Sequence, residues 1–573
     1  MTLPFLRRVK LVEGFLEFPF TGNERINSQN LFYSINNTFT YELWVKPEAI
    51  HKIDNESQNG VSGTRDQRYI INPGHGAEQN QAGTGLSIGT NGVSVYEHTQ
   101  DHLPATLVYP AEINDWVHVA LVYDDLTPYL FINGVFVKKG LRSTKDTIFA
   151  SGTFGGIDSY GSFVGRLKYI RLWDHARTEV QIRDNMYKEL SVKESNLFSI
   201  WNFQGKSENA EGILFINHSW GGGSNHYQNI LIEEKIKLKS RVFKLRFESD
   251  SFFIENLNPE SSFAYSLKFK TFDPQIFKYF SQLLGIRLIY INHLISFPLL
   301  KMMDMVQYSG IDYLFFIHDY FCVCPRYNLI NNHGVYCNSE TNIEVCQNCV
   351  NKTVLLPWRN RFYSFLSGAK RVLAPSNCTK CIIQKYYPNI SIDVQEHSLP
   401  STIQYTFDPQ FIEENILNIA FIGYLQNHKG TNIISELKNA IYQENLPIKI
   451  KVFGTTLMHK RYFNSEDGKY MVTGVYQNSE ISNLLAAHKI SIVVIPSISP
   501  ETFSYSTSEA MLSGYPVITF NLGAPAERVK KYDGGWIVEP LSSSSILKIL
   551  KKVLENRNEI LKKANNLRNS FYN

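Results

Sequence analysis

Residues 496–529 read PSISPETFSYSTSEAMLSGYPVITFNLGAPAERV. The run before them, ISIVVI at 490–495, is almost wholly apolar and is halted by Pro496. A strand covered on both faces of a parallel sheet reads this way. A loop follows, then SEAMLSG, a short run of helix formers closed by Gly514. PVITF is a second buried strand, and NLGAPAE a glycine-containing turn. Glu501 falls in the loop and Glu509, eight residues on, at the start of the helix. Both therefore belong to the carboxyl end of a strand, where open α/β sheets bind ligands.

Such a place suits a sugar nucleotide. A ribose diol offers two hydroxyl donors, and one ionised carboxylate accepts both. A diphosphate seeks backbone N–H groups at a helix start or glycine turn, with a cation nearby. An isolated pair of glutamates at this spacing fits any strand–loop–helix of an α/β enzyme. With PETFSYSTSEAMLSGYPVI around it, the stretch resembles the E-x7-E signature of retaining family-4 glycosyltransferases of the GT-B fold. The resemblance covers roughly residue 286 to the C-terminus. It implies that Glu509 holds the ribose diol and Glu501 the hydroxyls of the donor sugar, with anomeric configuration retained.

The preceding part of this half, 406–573, fits that expectation. NIAFIG is a strand ending at Gly423, and a loop then carries Lys429-Gly430 before a helix. An ammonium there can meet a diphosphate. Family members often pair that lysine with an arginine after the first glycine; here Tyr424 stands in its place, and Arg528 or Lys460 is the candidate substitute. Amides at Gly523 and Ala524 are expected to help with leaving-group charge. YMVTGVYQ places Val475 and Tyr476 where relatives contact the base, or where a strand end packs. The basic, amphipathic tail from Ser543 reads as a last helix crossing back over the first domain.

Residues 273–405 read as the first, acceptor-side Rossmann-like domain. IRLIYINH and DYLFFIHDYF are strands that end near His293 and at His318-Asp319-Tyr320. The latter resembles an H-D-Y element of bacterial polysaccharide transferases, which implies that His318 lies near a sugar; His293 and Asp319 are acceptor-side candidates. Packed histidines bonded to backbone are the competing reading. Cys324, Cys337, Cys346 and Cys349 follow in a loop with little apolar content. Their terminal C-x2-C suits two thiolates on one tetrahedral ion, so structural zinc is expected, against disulfides or reduced thiols. The helix with Trp358, Arg359 and Arg361 either lines an acceptor groove or simply packs.

The N-terminal third, 1–216, alternates with period two between glycine, asparagine and aspartate clusters, the pattern of an all-β protein. Asn133-Gly134 between β-branched runs is a hairpin signal. FTYELWVKP, DWVHVALVYD and FVGRLKYIRLWDHART resemble the laminin-G-like, concanavalin-A-like jelly roll. No E-x-D-x-E strand of the kind its hydrolases use is present, so a non-catalytic module is expected. Trp44, Trp116, Trp173 and Trp201 read as core. Asp124, Asp125 and Asp158 read as solvated turn carboxylates rather than a calcium site. Residues 217–272 are expected to be a linker and β-rich connector, and the strand and glycine-rich loop that open the first domain in relatives are not found.

The fold class expected is thus multidomain: an all-β jelly-roll sandwich followed by an α/β GT-B body of two Rossmann-like domains. The chain has 573 residues, with 57 Lys plus Arg against 53 Asp plus Glu, a net charge of +4. So small a surplus gives no reason to expect a nucleic-acid partner. No run reaches membrane-span length and no secretory h-region opens the chain, so a cytoplasmic protein is expected, with peripheral association to the inner membrane left open. The expected reaction moves a sugar from a nucleotide-diphosphate donor to a glycan or lipid-linked acceptor, in bacterial surface polysaccharide synthesis. Without a D-x-D motif, no metal cofactor for catalysis is expected. The alternatives are a glycan-binding, lectin-like protein with a degenerate transferase domain, or a scaffold that docks a partner enzyme.

Overall fold

The computed structural model describes residues 17–157, 159–188, 190, 194–202, 211–257, 266–269, 273–398 and 403–572. Asp158, one of the three turn carboxylates, lies outside them. The chain forms two compact units. The first comprises Met1–Ser219, Ile232–Ile289 and Ser296–Asp312; the second comprises Trp220–Leu231, Tyr290–Ile295 and Tyr313–Asn573.

The first unit is built on antiparallel β-structure, as the alternation requires. One sheet runs in the spatial order Phe18–Thr21, Val164–Trp173, Phe39–Pro47, Val117–Asp124, Thr127–Ile132, Val135–Lys139, with Leu197–Asn202 also pairing with Val164–Trp173. Asn133 and Gly134 both adopt positive φ, 51° and 76°, and close the expected hairpin. The turn before it lies at Asp125-Leu126, both at positive φ, and Thr127 and Pro128 pair with Asp124 and Tyr123. All four tryptophans are buried in the core. Asp125 is held by Arg142 at 2.6 Å. A buried charge cluster sits inside the sandwich: Glu42 is bonded by Arg177 and lies 3.4 Å from His118 Nε2.

A second sheet of this unit includes strands Arg241–Glu248, Ser251–Asn256 and Ser266–Phe269 from the expected linker and β-rich connector at 217–272. Glu24–Asn36 pairs with Thr147–Phe154 and also with Ser266–Phe269. From there the sheet continues through Ser251–Asn256 and Arg241–Glu248 to Gly212–Ile216. Residues 217–229, read as a turn, in fact lead into a helix, Gly223–Lys237. Strand Gly212–Ile216, a loop with Gly221 and Gly222 at φ 83° and 84°, and that helix together form a strand–glycine loop–helix of the kind not found in the sequence. No clean cut therefore exists at residue 216. Deletion of residues 1–210 strips Ser266–Phe269 of its backbone partner and bares a strand edge. The truncated chain is expected to aggregate or to lose its cooperative melting transition, whereas a merely tethered module would leave that transition unchanged.

In the second unit, parallel strands Asp312–Phe316, Arg371–Ala374 and Ile392–Val394 alternate with helices Lys352–Ser367 and Asn377–Tyr386. The C-terminal half is a parallel sheet in the order Tyr470–Val472, Ile448–Thr456, Leu417–Leu425, Ile492–Ile495, Val517–Phe520, Gly535–Val538. This is the doubly wound 3-2-1-4-5-6 order, whose ligand crevice opens between the first and fourth strands. The tail differs from the expectation of one helix crossing to the first domain. It forms two helices, Ser543–Glu555 and Asn558–Phe571, and the second inserts Ile560, Ala564 and Leu567 into the core of its own half. That apolar stripe is better covered there: a Cβ on Gly534 would stand 2.2 Å from Leu567, so the backbone already closes over it. Among the described residues, no helix is long and apolar enough to cross a membrane.

Candidate functional site

The crevice position follows from strand order. Leu417–Leu425 leads into the one-turn 3-10 helix Asn427–Lys429, and Ile492–Ile495 leads into the loop with Glu501. Gly430 (φ 84°) lets the first turn pass under Pro496, since a Cβ there would meet the Pro496 carbonyl at 2.1 Å. The two loops meet in an ion pair: Lys429 Nζ lies 2.8 Å from Glu501 Oε2, with side chains 34% and 10% exposed. Ser497 Oγ donates to the other Glu501 oxygen. Burial alone would raise the Glu501 carboxyl, but Lys429 and these hydroxyls hold it below its ordinary value.

Glu509 lies on the helix Tyr505–Leu512 and is only 3% exposed. Among the described residues no donor reaches its carboxyl, and burial pushes it up to about 7. The phenols of Tyr476 and Tyr505 feel its charge. The strand runs two residues past the expected end at Gly423, which takes φ 111° and faces Ser506, where a Cβ would stand 3.5 Å from the hydroxyl. Val475 is 89% exposed, while Tyr476 packs against the core.

The Gly523-Ala524 amides have another use than the one expected. Ala524 N–H donates to Glu501 O at 2.8 Å, and Gly523 N–H serves the Cys378 thiol. A Cβ on Gly523 would meet Glu501 N at 2.6 Å. The start of the helix Gly523–Tyr532 thus fixes the Glu501 loop from behind, so these amides are committed within the protein.

The first half supplies the facing wall. Thr502 Oγ1 donates to His318 O at 2.6 Å, and Ser376 Oγ donates to Thr502 O at 2.8 Å. His318 Nε2 meets Asn292 Oδ1 at 3.0 Å, and Asn292 Nδ2 donates to Gln228 Oε1 at 3.1 Å. With the amide so assigned, His318 carries its proton on Nε2. His293 and Asp319 come together at 2.9 Å. His293 Nδ1 accepts the Ile295 N–H at 2.9 Å, so Nε2 donates to Asp319, whose second oxygen accepts the Phe321 N–H. Both His293 ring nitrogens are thereby engaged, and this dyad braces the wall.

Sequence reading missed His226, Tyr227, His397, Phe503 and Tyr505 as one cluster. The His397 ring stacks on Tyr227 at 4.3 Å, lies 4.3 Å from Phe503 and 5.3 Å from Tyr505, while His226 meets Tyr505 at 5.0 Å. The only signal was the crowding of aromatics in TFSYS, because the partners come from about 106 residues upstream (His397) and about 276 residues upstream (His226 and Tyr227).

Cys324, Cys337, Cys346 and Cys349 all line one cavity of about 610 Å³. They do not close on a common point: among the described residues no group of three His, Cys, Asp or Glu side chains is placed to hold a metal ion. Cys346 Sγ donates to Glu340 O at 3.3 Å and borders the Arg359 guanidinium at 3.4 Å, and burial pushes the Cys324 thiol up to about 11. Burial likewise raises the Cys346 thiol, which the Arg359 guanidinium opposes. Arg359 also donates to Val323 O and Thr341 O, and Trp358 Nε1 to Phe321 O, so this helix packs and pins the loop.

Comparison with known proteins adds the following. Residues 406–572 match the family described as glycosyl transferases group 1, and residues 21–183 match the concanavalin A-like lectin/glucanases superfamily. None of the curated proteins matches the chain. Among solved structures, sucrose-phosphate synthase from Thermosynechococcus elongatus is similar at 14% identity, over 63% of this chain and 94% of that one, with a TM-score of 0.44. HepE of Anabaena, in complex with UDP and glucose, is similar at 17% identity over the same shares, with a TM-score of 0.40. A glycosyltransferase from Rickettsia africae is similar at 15% identity, again over 63% and 94%, with a TM-score of 0.42. Residues 406–572 are thus similar to the group 1 glycosyl transferases, and residues 21–183 to the concanavalin A-like lectin/glucanases superfamily.

Proposed function

We propose that this protein is a retaining glycosyltransferase that moves a sugar from a nucleotide-diphosphate donor to a hydroxyl of a glycan or lipid-linked glycan. The observation that carries the reading is the Lys429–Glu501 pair at the mouth of the first and fourth strands, with the unpartnered Glu509 carboxyl one helix turn beyond. Glu509, buried without a donor, suits the two hydroxyls of a ribose, which restore the hydrogen bonds it lacks. Lys429 has two further N–H donors beyond the one spent on Glu501, enough for a diphosphate oxygen as the leaving group departs. Glu501, ionised by that lysine, accepts hydroxyls of the donor sugar. His318 faces the same crevice through Thr502 and orients the sugar or the acceptor. The reaction as proposed needs no catalytic metal, since Lys429 supplies the cation. A place in surface polysaccharide synthesis at the inner face of the membrane belongs to the same proposal.

The strand–glycine loop–helix at 212–237 bears on the rival reading of a degenerate transferase, because the loop not found in the sequence would, like Tyr424 in place of an arginine, favour that reading. The experiment is slow hydrolysis of a panel of nucleotide sugars by the purified full chain. One donor is expected to be hydrolysed, and Glu509→Ala to abolish it. A panel in which no nucleotide sugar is hydrolysed or raises the melting temperature favours the lectin-like alternative.

A further inference from the structure

We infer that Arg528, His397 and Tyr505 form a second anion pocket, around Phe503, that takes a phosphate or diphosphate oxyanion. This rests on the reading above and supplies the cation that Tyr424 fails to provide. Arg528 lies on the helix Gly523–Tyr532 and is 7% exposed. Its guanidinium stands over the Phe503 ring at 3.9 Å, and Nη1 donates to Ser504 O at 3.0 Å. Nη2 is buried and has no hydrogen-bond partner. No carboxylate lies within ion-pair distance of it among the described residues. The two nearest in effect are committed elsewhere: Glu396 to Lys531, and Glu527 to the amides of Asn377 and Cys378. A buried, unpaired cation is costly, and a fold that keeps one has a use for it.

The neighbours share that condition. His397 is 6% exposed and neither ring nitrogen has a partner; the Tyr505 hydroxyl is likewise buried and unpartnered. The rings of His397, Phe503 and Tyr505 lie within 5.3 Å of one another, and Arg528 stands over the same Phe503 ring, so these orphan donors cluster around Phe503. Burial, with the Arg528 charge, keeps the imidazole neutral, at about 3, so it offers one N–H without adding charge. One guanidinium edge, one imidazole N–H and one phenol O–H make a three-donor cradle for an oxyanion. A metal ion is repelled by the arginine, and an apolar ligand leaves all three groups unsatisfied. Lys460, the other candidate substitute, is exposed on the surface and has no such setting.

The oxyanion has two sources, the diphosphate of the donor or the phosphate of a lipid-linked acceptor. The test measures binding of inorganic pyrophosphate, of uridine, guanosine and adenosine diphosphates, and of phosphatidylcholine vesicles carrying polyprenyl phosphate, to the full chain. R528M is expected to weaken pyrophosphate binding about tenfold or more, with R528K between, and to raise the melting temperature in anion-free buffer by removing an unpaired buried charge. Parallel loss of one nucleoside diphosphate assigns the pocket to the donor; loss of vesicle binding alone assigns it to the acceptor, and either result sustains the pocket. Unchanged binding of every probe, or a lowered melting temperature with unchanged affinity, overturns it and makes Arg528 structural. Should R528M fail to fold, Tyr505→Phe carries the same test with a smaller expected loss. Lys429→Ala separates the two levels of argument. If it weakens nucleotide binding while R528M does not, only this pocket falls; if neither variant matters and no nucleotide sugar is hydrolysed, the transferase reading falls as well.

Discussion

Glu509→Gln is expected to abolish donor turnover and, at pH 8, to make the protein more stable. The carboxyl is pushed up to about 7 by burial, from an ordinary value near 4.5. Between those values the folded chain holds a proton that the unfolded chain has released. Stability therefore falls as pH rises from about 4.5 to about 7, and stays low above that. Two and a half pH units correspond to about 3 kcal/mol. Glutamine does not titrate, so chemical denaturation should show variant and wild type differing by an amount on the order of 3 kcal/mol more at pH 8 than at pH 4. A ribose diol binds the ionised form, so donor KM in the wild type should rise as pH drops below about 7. Nucleotide binding by the glutamine variant should lack that pH dependence and be about a hundredfold weaker, the scale of two hydrogen bonds to a charged acceptor. Equal stability differences at both pH values would show that Glu509 is ionised in the free protein, and the ribose role would lose its physical basis.

The same residue shows what was legible in the chain. Glu501, Glu509 and Lys429 were readable because each lies at a fixed distance from an apolar run that ends abruptly, and strand ends are where a parallel sheet places its loops. His293 and His318 were readable as strand-end residues, but not their partners. That His293 spends both nitrogens on Ile295 and Asp319 depends on a tight turn no pattern announces. The opening strand was missed because GILFI is five residues long and its helix begins GSNHYQN, polar through most of two turns. Its stability comes from packing, with Tyr227 against Phe316 at 4.6 Å, rather than from periodicity. The role of Gly523 was misread for a related reason. A glycine at a helix start signals a close approach, but not which backbone approaches, and here it is Glu501 rather than a phosphate. The cysteines show the limit of spacing: four thiols on one cavity wall satisfy the sequence pattern without sharing a centre.

Breaking the Lys429–Glu501 pair from either side is expected to cost both stability and activity, and the two losses should separate in the double variant. Lys429→Met leaves a carboxylate that is 10% exposed with the Ser497 and Ser504 hydroxyls beside it, and removal of one partner from a pair so buried costs about 3 kcal/mol or more. Glu501→Gln strands an ammonium that is one-third exposed, so its cost should be smaller, about 1 kcal/mol. The wild-type Glu501 carboxyl is held low, so its contribution is present above the ordinary carboxylate range and is lost as pH falls through the lowered value. Lys429→Met should therefore be most harmful near neutrality and nearly harmless in acid, where the carboxyl of the variant is protonated. The double variant Lys429→Met with Glu501→Gln should recover most of the stability lost in Lys429→Met, because neither charge is left alone. Activity should not recover. Donor KM is expected to rise at least about tenfold in Lys429→Met, with kcat falling further as leaving-group charge loses its cation. If the double variant regains turnover along with stability, the pair serves only to join two loops, and the cation at the head of this sheet has no part in the chemistry.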